Sequence, residues 1–214
     1  KANTTGFYNT AVGYDSLQAN TSGFNNTAMG QNAMSSNTTA SVNTAVGHIA
    51  LERTTTGSAN TALGAHAMRN NTTGVNNSAT GHDALTANIT GEDNSAFGSD
   101  ALDTNTTGSN NTAIGASADV ASAALTNATA IGYGASVAAS NTMQLGNTSV
   151  TNVKTSGSIT AGAITIPNTD GTSGQVLKTD GSGTLSWVTQ DGTGTDDQNI
   201  SGSGLSGTTL TIGI

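Results

Sequence analysis

The sequence predicts an all-β chain whose first two thirds is a parallel β-solenoid of 17-residue coils. Two observations carry this. Glycines recur every 17 residues without insertion or deletion, at Gly13, Gly30, Gly47, Gly64, Gly81, Gly98, Gly115 and Gly132. The residues between them are mostly Thr, Asn, Ser, Gly and Ala, poor helix formers suited to short strands and tight turns.

Each of these glycines closes a related pentapeptide: NTAVG (9–13), NTAMG (26–30), NTAVG (43–47), NTALG (60–64), NSATG (77–81), NSAFG (94–98), NTAIG (111–115) and ATAIG (128–132). Side chains alternate along a strand, so Thr and the apolar residue share one face, and Asn and Ala share the other. The apolar residue before the glycine (Val12, Met29, Val46, Leu63, Phe97, Ile114, Ile131, with Thr80 the exception) is expected to point inward. A second apolar column lies four residues after the glycine, at Leu17, Met34, Leu51, Met68, Leu85 and Leu102. The Asn column Asn9, Asn26, Asn43, Asn60, Asn77, Asn94 and Asn111 is expected to bond amide to amide along the stack. Glycine ends each strand where positive φ or a close backbone approach is needed. Turns fall at Gly6, Gly23, Gly57, Gly74, Gly91 and Gly108, with Ala40 in place of glycine once. An array of helical repeats is the alternative for a 34-residue double unit, but no spacing of three and four apolar residues is sustained through it.

Composition narrows function. Aromatic residues make up 3% and charged residues 8% of the 214 residues, against roughly 25% charged in an average soluble domain. The net charge of -8, with only five basic residues, argues against nucleic-acid binding. There are no cysteines, which excludes disulfides and thiolate metal sites. No apolar run approaches the length of a membrane span, so no membrane insertion is expected of this segment. One coil supplies about two large apolar side chains, a thin core against backbone entropy of about 1–2 kcal/mol per residue. Several chains packed by their apolar faces around one axis would thicken it, which predicts a homo-oligomer.

Candidate sites are few. His48 and His82 follow the glycine two coils apart, about 10 Å at ~4.8 Å per coil, too far to share a metal ion. His66 lies one position further along in the intervening coil, and all three are expected to be solvent-exposed corner residues. Asp15, Asp83, Asp100 and Asp103 are scattered, and Asp196-Asp197 is an exposed pair, so no catalytic carboxylates are expected. No nucleophile elbow, phosphate loop or dinucleotide fingerprint occurs, and GSGLSG (202–207) is a turn sequence only. No catalytic, cofactor or metal residue is therefore predicted, and the chain is read as not an enzyme. Thr10, Thr27, Thr44, Thr61, Ser78, Ser95, Thr112 and Thr129 form a hydroxyl column of the kind that binds ice on flat solenoids. An inward apolar residue on the same face weakens that reading. A polysaccharide-degrading solenoid enzyme is the other alternative, and it needs acids clustered across neighbouring coils.

The stretch TNATAIGYGASVAASNTMQLGNTSVTNV (126–153) resembles the head repeats of YadA-like trimeric autotransporter adhesins, in which AIG-x-GA-x-A and a later apolar-Gly-Asn step recur. The matching residues are Ala130, Ile131, Gly132, Gly134, Ala135, Leu145, Gly146 and Asn147, and the spacing shortens from 17 to 14 between Gly132 and Gly146. The resemblance implies a left-handed parallel β-roll and a homotrimer, with the 17-residue units as an expanded coil. The Asn-rich NNTAIG form is similar to repeats of phage tail-fibre-like and bacterial surface-fibre proteins.

After Val153 the pattern changes to strands separated by glycines. GSITAGAITIPN (157–168) ends near Pro167, the only proline. GQVLKTDGSGTLSWVTQDG (174–192) reads as a β-hairpin turning at DGSG (180–183), with the single Trp187 as a core or interface residue rather than a glycan-stacking platform. GTTLTIGI (207–214) alternates as a further strand. SITAGAITIPNTDGTSGQVLKTDGSGTLSWV resembles segments of long bacterial surface and phage-like tail fibres, often found upstream of a self-cleaving endosialidase-type chaperone domain. Three regions result: 1–118, seven 17-residue β-roll repeats; 119–153, adhesin-head-like coils and neck; and 154–214, a β-rich fibre stalk with hairpin 174–192, expected to continue beyond Ile214. The expected role is a structural or adhesive extracellular trimeric fibre segment, shaft or head of a bacterial surface adhesin or an injection-machine tail. It would present a receptor-binding tip to cell-surface glycans or proteins through regions outside this segment.

Overall fold

A computed structural model describes residues 3–156, 159–161, 164–166, 171–182 and 184–189. Pro167, Asp196-Asp197 and the segments 202–207 and 207–214 lie outside the described residues. Among those described there is no helix, and so none long and apolar enough to cross a membrane. The chain divides into two compact units, Lys1–Thr151 and Asn152–Ile214.

The first unit is a parallel β-solenoid of about eight turns. Each pentapeptide contributes a three-residue strand: β1 (Thr10–Val12), β2 (Thr27–Met29), β3 (Thr44–Val46), β4 (Thr61–Leu63), β5 (Ser78–Thr80), β6 (Ser95–Phe97) and β7 (Thr112–Ile114). β8 (Asp119–Val120), β9 (Thr129–Ile131), β10 (Ser136–Val137) and β11 (Met143–Leu145) follow. One sheet runs β1-β2-β3-β4-β5-β6-β7-β9-β11 with all neighbours parallel, and β8 pairs β10 in a second, two-stranded sheet. Register is strict: Thr stacks on Thr or Ser, and Ala on Ala, from Thr10↔Thr27 through Thr112↔Thr129. The shorter 14-residue coil joins the same sheet, with Met143↔Thr129 and Leu145↔Ile131. The change of period therefore alters the loop and leaves the strand stack continuous.

The interior is narrow, and it corrects the expected orientation of the strand. The central Ala of β2 to β7 and of β9 is buried (Ala28, Ala45, Ala62, Ala79, Ala96, Ala113, Ala130), together with Ala33, Ala50, Ala67, Ala84 and Ala101 at the following corner. Met34, Leu51, Met68, Leu85 and Leu102 fill the remaining volume at zero exposure. The residue before the glycine points outward instead of inward: Val12, Met29, Val46, Leu63, Phe97 and Ile114 are 37–54% exposed. Alternation puts Asn and Ala on one face and Thr and the larger apolar residue on the other. Only the smaller pair fits beside the Leu/Met column inside a coil this tight.

The strand-ending glycines satisfy both reasons for glycine at once. Gly30, Gly47, Gly64, Gly81 and Gly98 have φ of 138–143°, and a Cβ on Gly64 would overlap the carbonyl oxygen of Gly81 in the next coil. Elsewhere the corners are made by non-glycine residues in the left-handed region, three per coil. In the coil after Gly30 these are Asn32 (φ 58°), Met34 (φ 52°) and Val42 (φ 64°). Such a backbone costs roughly 1–2 kcal/mol for a residue with a Cβ. Backbone hydrogen bonds between coils offset it at the same corners, including Met34 N–H to Ala50 O (3.0 Å) and Val42 N–H to Phe24 O (3.0 Å).

In the second unit, β12 (Ile159–Ala161) pairs antiparallel with β13 (Ile164–Ile166). β14 (Gln175–Thr179) pairs antiparallel with β15 (Leu185–Thr189), placing Leu177 opposite Trp187 and Thr179 opposite Leu185. Between these two strands, Asp180 accepts N–H bonds from Ser182 (2.8 Å) and Thr184 (3.1 Å), which fixes the bend and holds its carboxyl down at about 2. Trp187 is half-buried, and its ring lies so close over Gly171 that a Cβ there would sit 2.7 Å from it.

Candidate functional site

Three kinds of side-chain column run along the first unit, and each arises from placing one residue type at one register position in successive coils.

The buried amide columns are structural. In the strand-leading column, Asn Oδ1 accepts the backbone N–H of the Asn one coil later, as in Asn60 to Asn43 (2.8 Å) and Asn94 to Asn77 (2.9 Å). Its Nδ2 donates to a turn carbonyl 14 residues ahead, as in Asn60 to Gly74 O (2.9 Å). Amide-to-amide contacts are also present at some steps, such as Asn94 Nδ2 to Asn77 Oδ1 (3.0 Å). The expected ladder is thus mainly amide to backbone, because the Nδ2 is drawn to the turn. A second Asn column, not anticipated from the sequence, is the truer amide ladder. Asn37 donates to Asn20 (2.7 Å), Asn88 to Asn71 (2.8 Å) and Asn105 to Asn88 (3.0 Å), all buried. Each of these also donates to the carbonyl three residues on. Thr54 interrupts this column, and Asn37 Oδ1 is left buried without a partner.

The outward face carries two adjacent columns. From β2 onward the strand Thr and Ser residues are half-buried and in register, and the apolar residues two positions on are exposed beside them through Ile114. The apolar column therefore forms a continuous stripe on the outside of the chain from Val12 to Ile114, broken only at Thr80.

The third column contains the titratable groups. His48, His66 and His82 stack with ring centroids 5.5 and 5.4 Å apart. The one-residue offset of His66, which the spacing argument used to separate it, instead places its ring between the other two. Asp83 stands in register with His66 one coil on, so its carboxylate meets His66 Nδ1 at 3.0 Å and His82 Nδ1 at 2.8 Å. Sequence spacing set His48 and His82 about 10 Å apart and by itself gave no sign of this grouping. The signal was available: an Asp exactly 17 residues after a His falls directly beneath it.

Carboxylates also meet once. Asp119, half-buried at the start of β8, has its carboxyl pushed up to about 6, first by burial and then by a hydrogen bond with the Asp103 side chain. The Thr104 side chain and the Val120 N–H (2.7 Å) act in the opposite direction, and Thr104 N–H also donates to the carboxylate (3.2 Å). The sequence shows Asp103 only among scattered acids and gives no sign of its partner Asp119. Asp15 and Asp100 remain apart from this pair, and Asp100 accepts a bond from the neighbouring Ser99 hydroxyl (2.9 Å). A shallow hollow at the first coil, lined by Asn3, Asn9, Ala11, Ser16, Leu17 and Asn20, is the unstacked face of that coil. Among known proteins, no family model matches the chain and no curated sequence is significantly similar to it.

Proposed function

We propose that this chain is a segment of an extracellular trimeric fibre, the shaft or head of a bacterial surface adhesin or tail fibre, that holds a receptor-binding tip away from its base. In this reading the coils wind left-handed, three chains pack through their outward apolar stripes, and residues 154–214 belong to the stalk. The carrying observation is the stripe itself: Val12, Met29, Val46, Leu63, Phe97 and Ile114 stand exposed in one line along a sheet of parallel strands. A line of large apolar side chains of this length is a docking surface, because exposed contiguous apolar area carries a solvation cost that self-association removes. Identical repeats present the same face at every level, which suits rotational packing of like chains. The in-register stack supports the mechanical role, since successive coils are bonded to one another through backbone and Asn columns.

The enzyme alternative is disfavoured by geometry. Catalysis of that kind needs two carboxyls flanking the bound sugar or water, and the neighbouring pair Asp103 and Asp119 instead places Asp119 half-buried at the start of β8. The ice-binding alternative gains from the outward Thr column but loses from its neighbour, where Met29, Leu63 and Phe97 make the face uneven.

The test is Leu63→Asp combined with Phe97→Asp. Both side chains are exposed in the single chain, so the β-rich circular dichroism spectrum should persist while the oligomer dissociates. An assembly state unchanged by both charges would overturn the proposal.

A further inference from the structure

We propose that His66, His82 and Asp83 form a binding site for a divalent transition-metal ion of the zinc, nickel or copper type. Among the described residues they are a group of three ligating side chains whose donor atoms all lie within 4.8 Å of one another.

Its base is rigid. His66 and Asp83 occupy the same left-handed corner position in adjacent coils, with φ of 61° and 55°. The backbone of each is tied to the preceding coil, through His66 N–H to His48 O (2.9 Å) and Asp83 N–H to Ala65 O (3.0 Å). His82, 58% exposed at its side chain, is the third ligand. The Asp83 carboxylate already meets both imidazoles, one at each oxygen, so the Nδ1 atoms face a common point. Zinc–nitrogen and zinc–oxygen bonds of about 2.0–2.2 Å require tetrahedral donors roughly 3.3 Å apart. Rotation of the exposed His82 ring closes the present spread without moving the coils. In the metal-free form each Nδ1 carries hydrogen toward the carboxylate. On binding, that hydrogen is held at Nε2 instead, and Nδ1 presents its lone pair to the metal.

Two imidazoles and one carboxylate select the metal class. Calcium requires six to eight oxygen ligands and magnesium a near-octahedral oxygen shell, neither of which this set supplies. Imidazole suits zinc, copper and nickel. Water fills the positions that the protein leaves open. His48, on the far side of His66, lies outside the ligand set.

Isothermal titration calorimetry of the untagged chain with zinc chloride and nickel chloride tests the assignment. The expected result is saturable binding of one ion per chain with a micromolar dissociation constant, and no binding of calcium or magnesium chloride. His82→Ala and Asp83→Asn should each weaken zinc binding about tenfold or more, while His48→Ala leaves it unchanged. Because His82 is exposed, its variant keeps the wild-type circular dichroism spectrum, and loss of binding then reads the ligand alone. Absence of one-to-one binding, binding that survives His82→Ala, or an equal loss in His48→Ala would each overturn the site.

Discussion

Restoring the interrupted amide ladder should stabilise the solenoid, but only if a second position is changed with it. The buried Asn37 Oδ1 has no partner, while the Oδ1 atoms of Asn20, Asn71 and Asn88 each accept the Nδ2 of the Asn one coil later. The coil after Asn37 has Thr54 there, whose hydroxyl bonds instead to Asn71 O (3.0 Å). Asn at this position would donate to Asn37 Oδ1 and Gly57 O and would accept from Asn71 Nδ2. Three bonds form and one is lost, a net of two at about 1 kcal/mol each, or about 2 kcal/mol in total. However, Ala40 replaces the turn glycine of the same coil as Asn37. At Gly74, Gly91 and Gly108, a Cβ would overlap the Oδ1 of the Asn three residues earlier. The Ala40 methyl therefore crowds the Asn37 Oδ1 while Asn37 Nδ2 keeps its bonds to Asn20 Oδ1 and Ala40 O, which couples the two departures from the repeat. Thr54→Asn alone should gain less than half of the 2 kcal/mol, Ala40→Gly alone should be neutral or lose about 0.5–1 kcal/mol by backbone entropy, and the double variant should reach the full gain. Guanidinium unfolding at fixed protein concentration, run as a double-mutant cycle, measures the coupling. Equal stabilisation by Thr54→Asn with and without Ala40→Gly would refute the linkage.

Other consequences follow from the same geometry. Gly64→Ala drives a methyl into the Gly81 carbonyl at a φ of 142°, and should lower stability by about 3 kcal/mol or more in thermal melts. Val42 is a β-branched residue held at φ 64° where the same position is Asn25 one coil before and Asn76 two coils on, so Val42→Asn should raise stability by about 1 kcal/mol. Asp119 has a folded-state pKa of about 6, above the ordinary 3.8. Its contribution is therefore fully present below about pH 4 and is lost as pH rises through 6. After allowance for screening at a half-exposed group, the loss is about 1 kcal/mol. The difference in unfolding midpoint between wild type and Asp119→Asn should accordingly change between pH 4 and pH 7.5, and a pH-independent difference would rule this out.

Much of this architecture is visible in the sequence because each coil repeats the same chemistry at the same position. The strict 17-residue step of Gly13 through Gly132 gives the stacking axis, the register and the strand position directly. The buried Leu17, Met34 and Leu51 column is likewise readable from its offset to that glycine. Which face of NTAxG turns inward is not. Alternation separates Ala from Val or Ile but leaves the choice between faces to the volume inside the coil, and the Leu/Met column leaves room only for Ala. The left-handed corners were hidden for a different reason. Asn32, His66 and Asp83 share a register position with Ile49, and Leu17 shares one with Met34, so residue type does not mark the backbone. The ladder through Asn20, Asn37, Asn71, Asn88 and Asn105 has the same period as the glycines but is interrupted at Thr54, so its continuity shows only in the structure. The His66–Asp83 contact needed the corner geometry, since a position that looks solvent-facing in one coil is also the roof of the next.

The fibre reading rests on three copies sharing the outward apolar stripe, and solution mass addresses it most directly. Multi-angle light scattering of the chain eluting from a sizing column should give three times the chain mass of 20.9 kDa, unchanged on dilution to the micromolar range. A particle of one chain mass that keeps the full β-sheet circular dichroism spectrum would contradict the account.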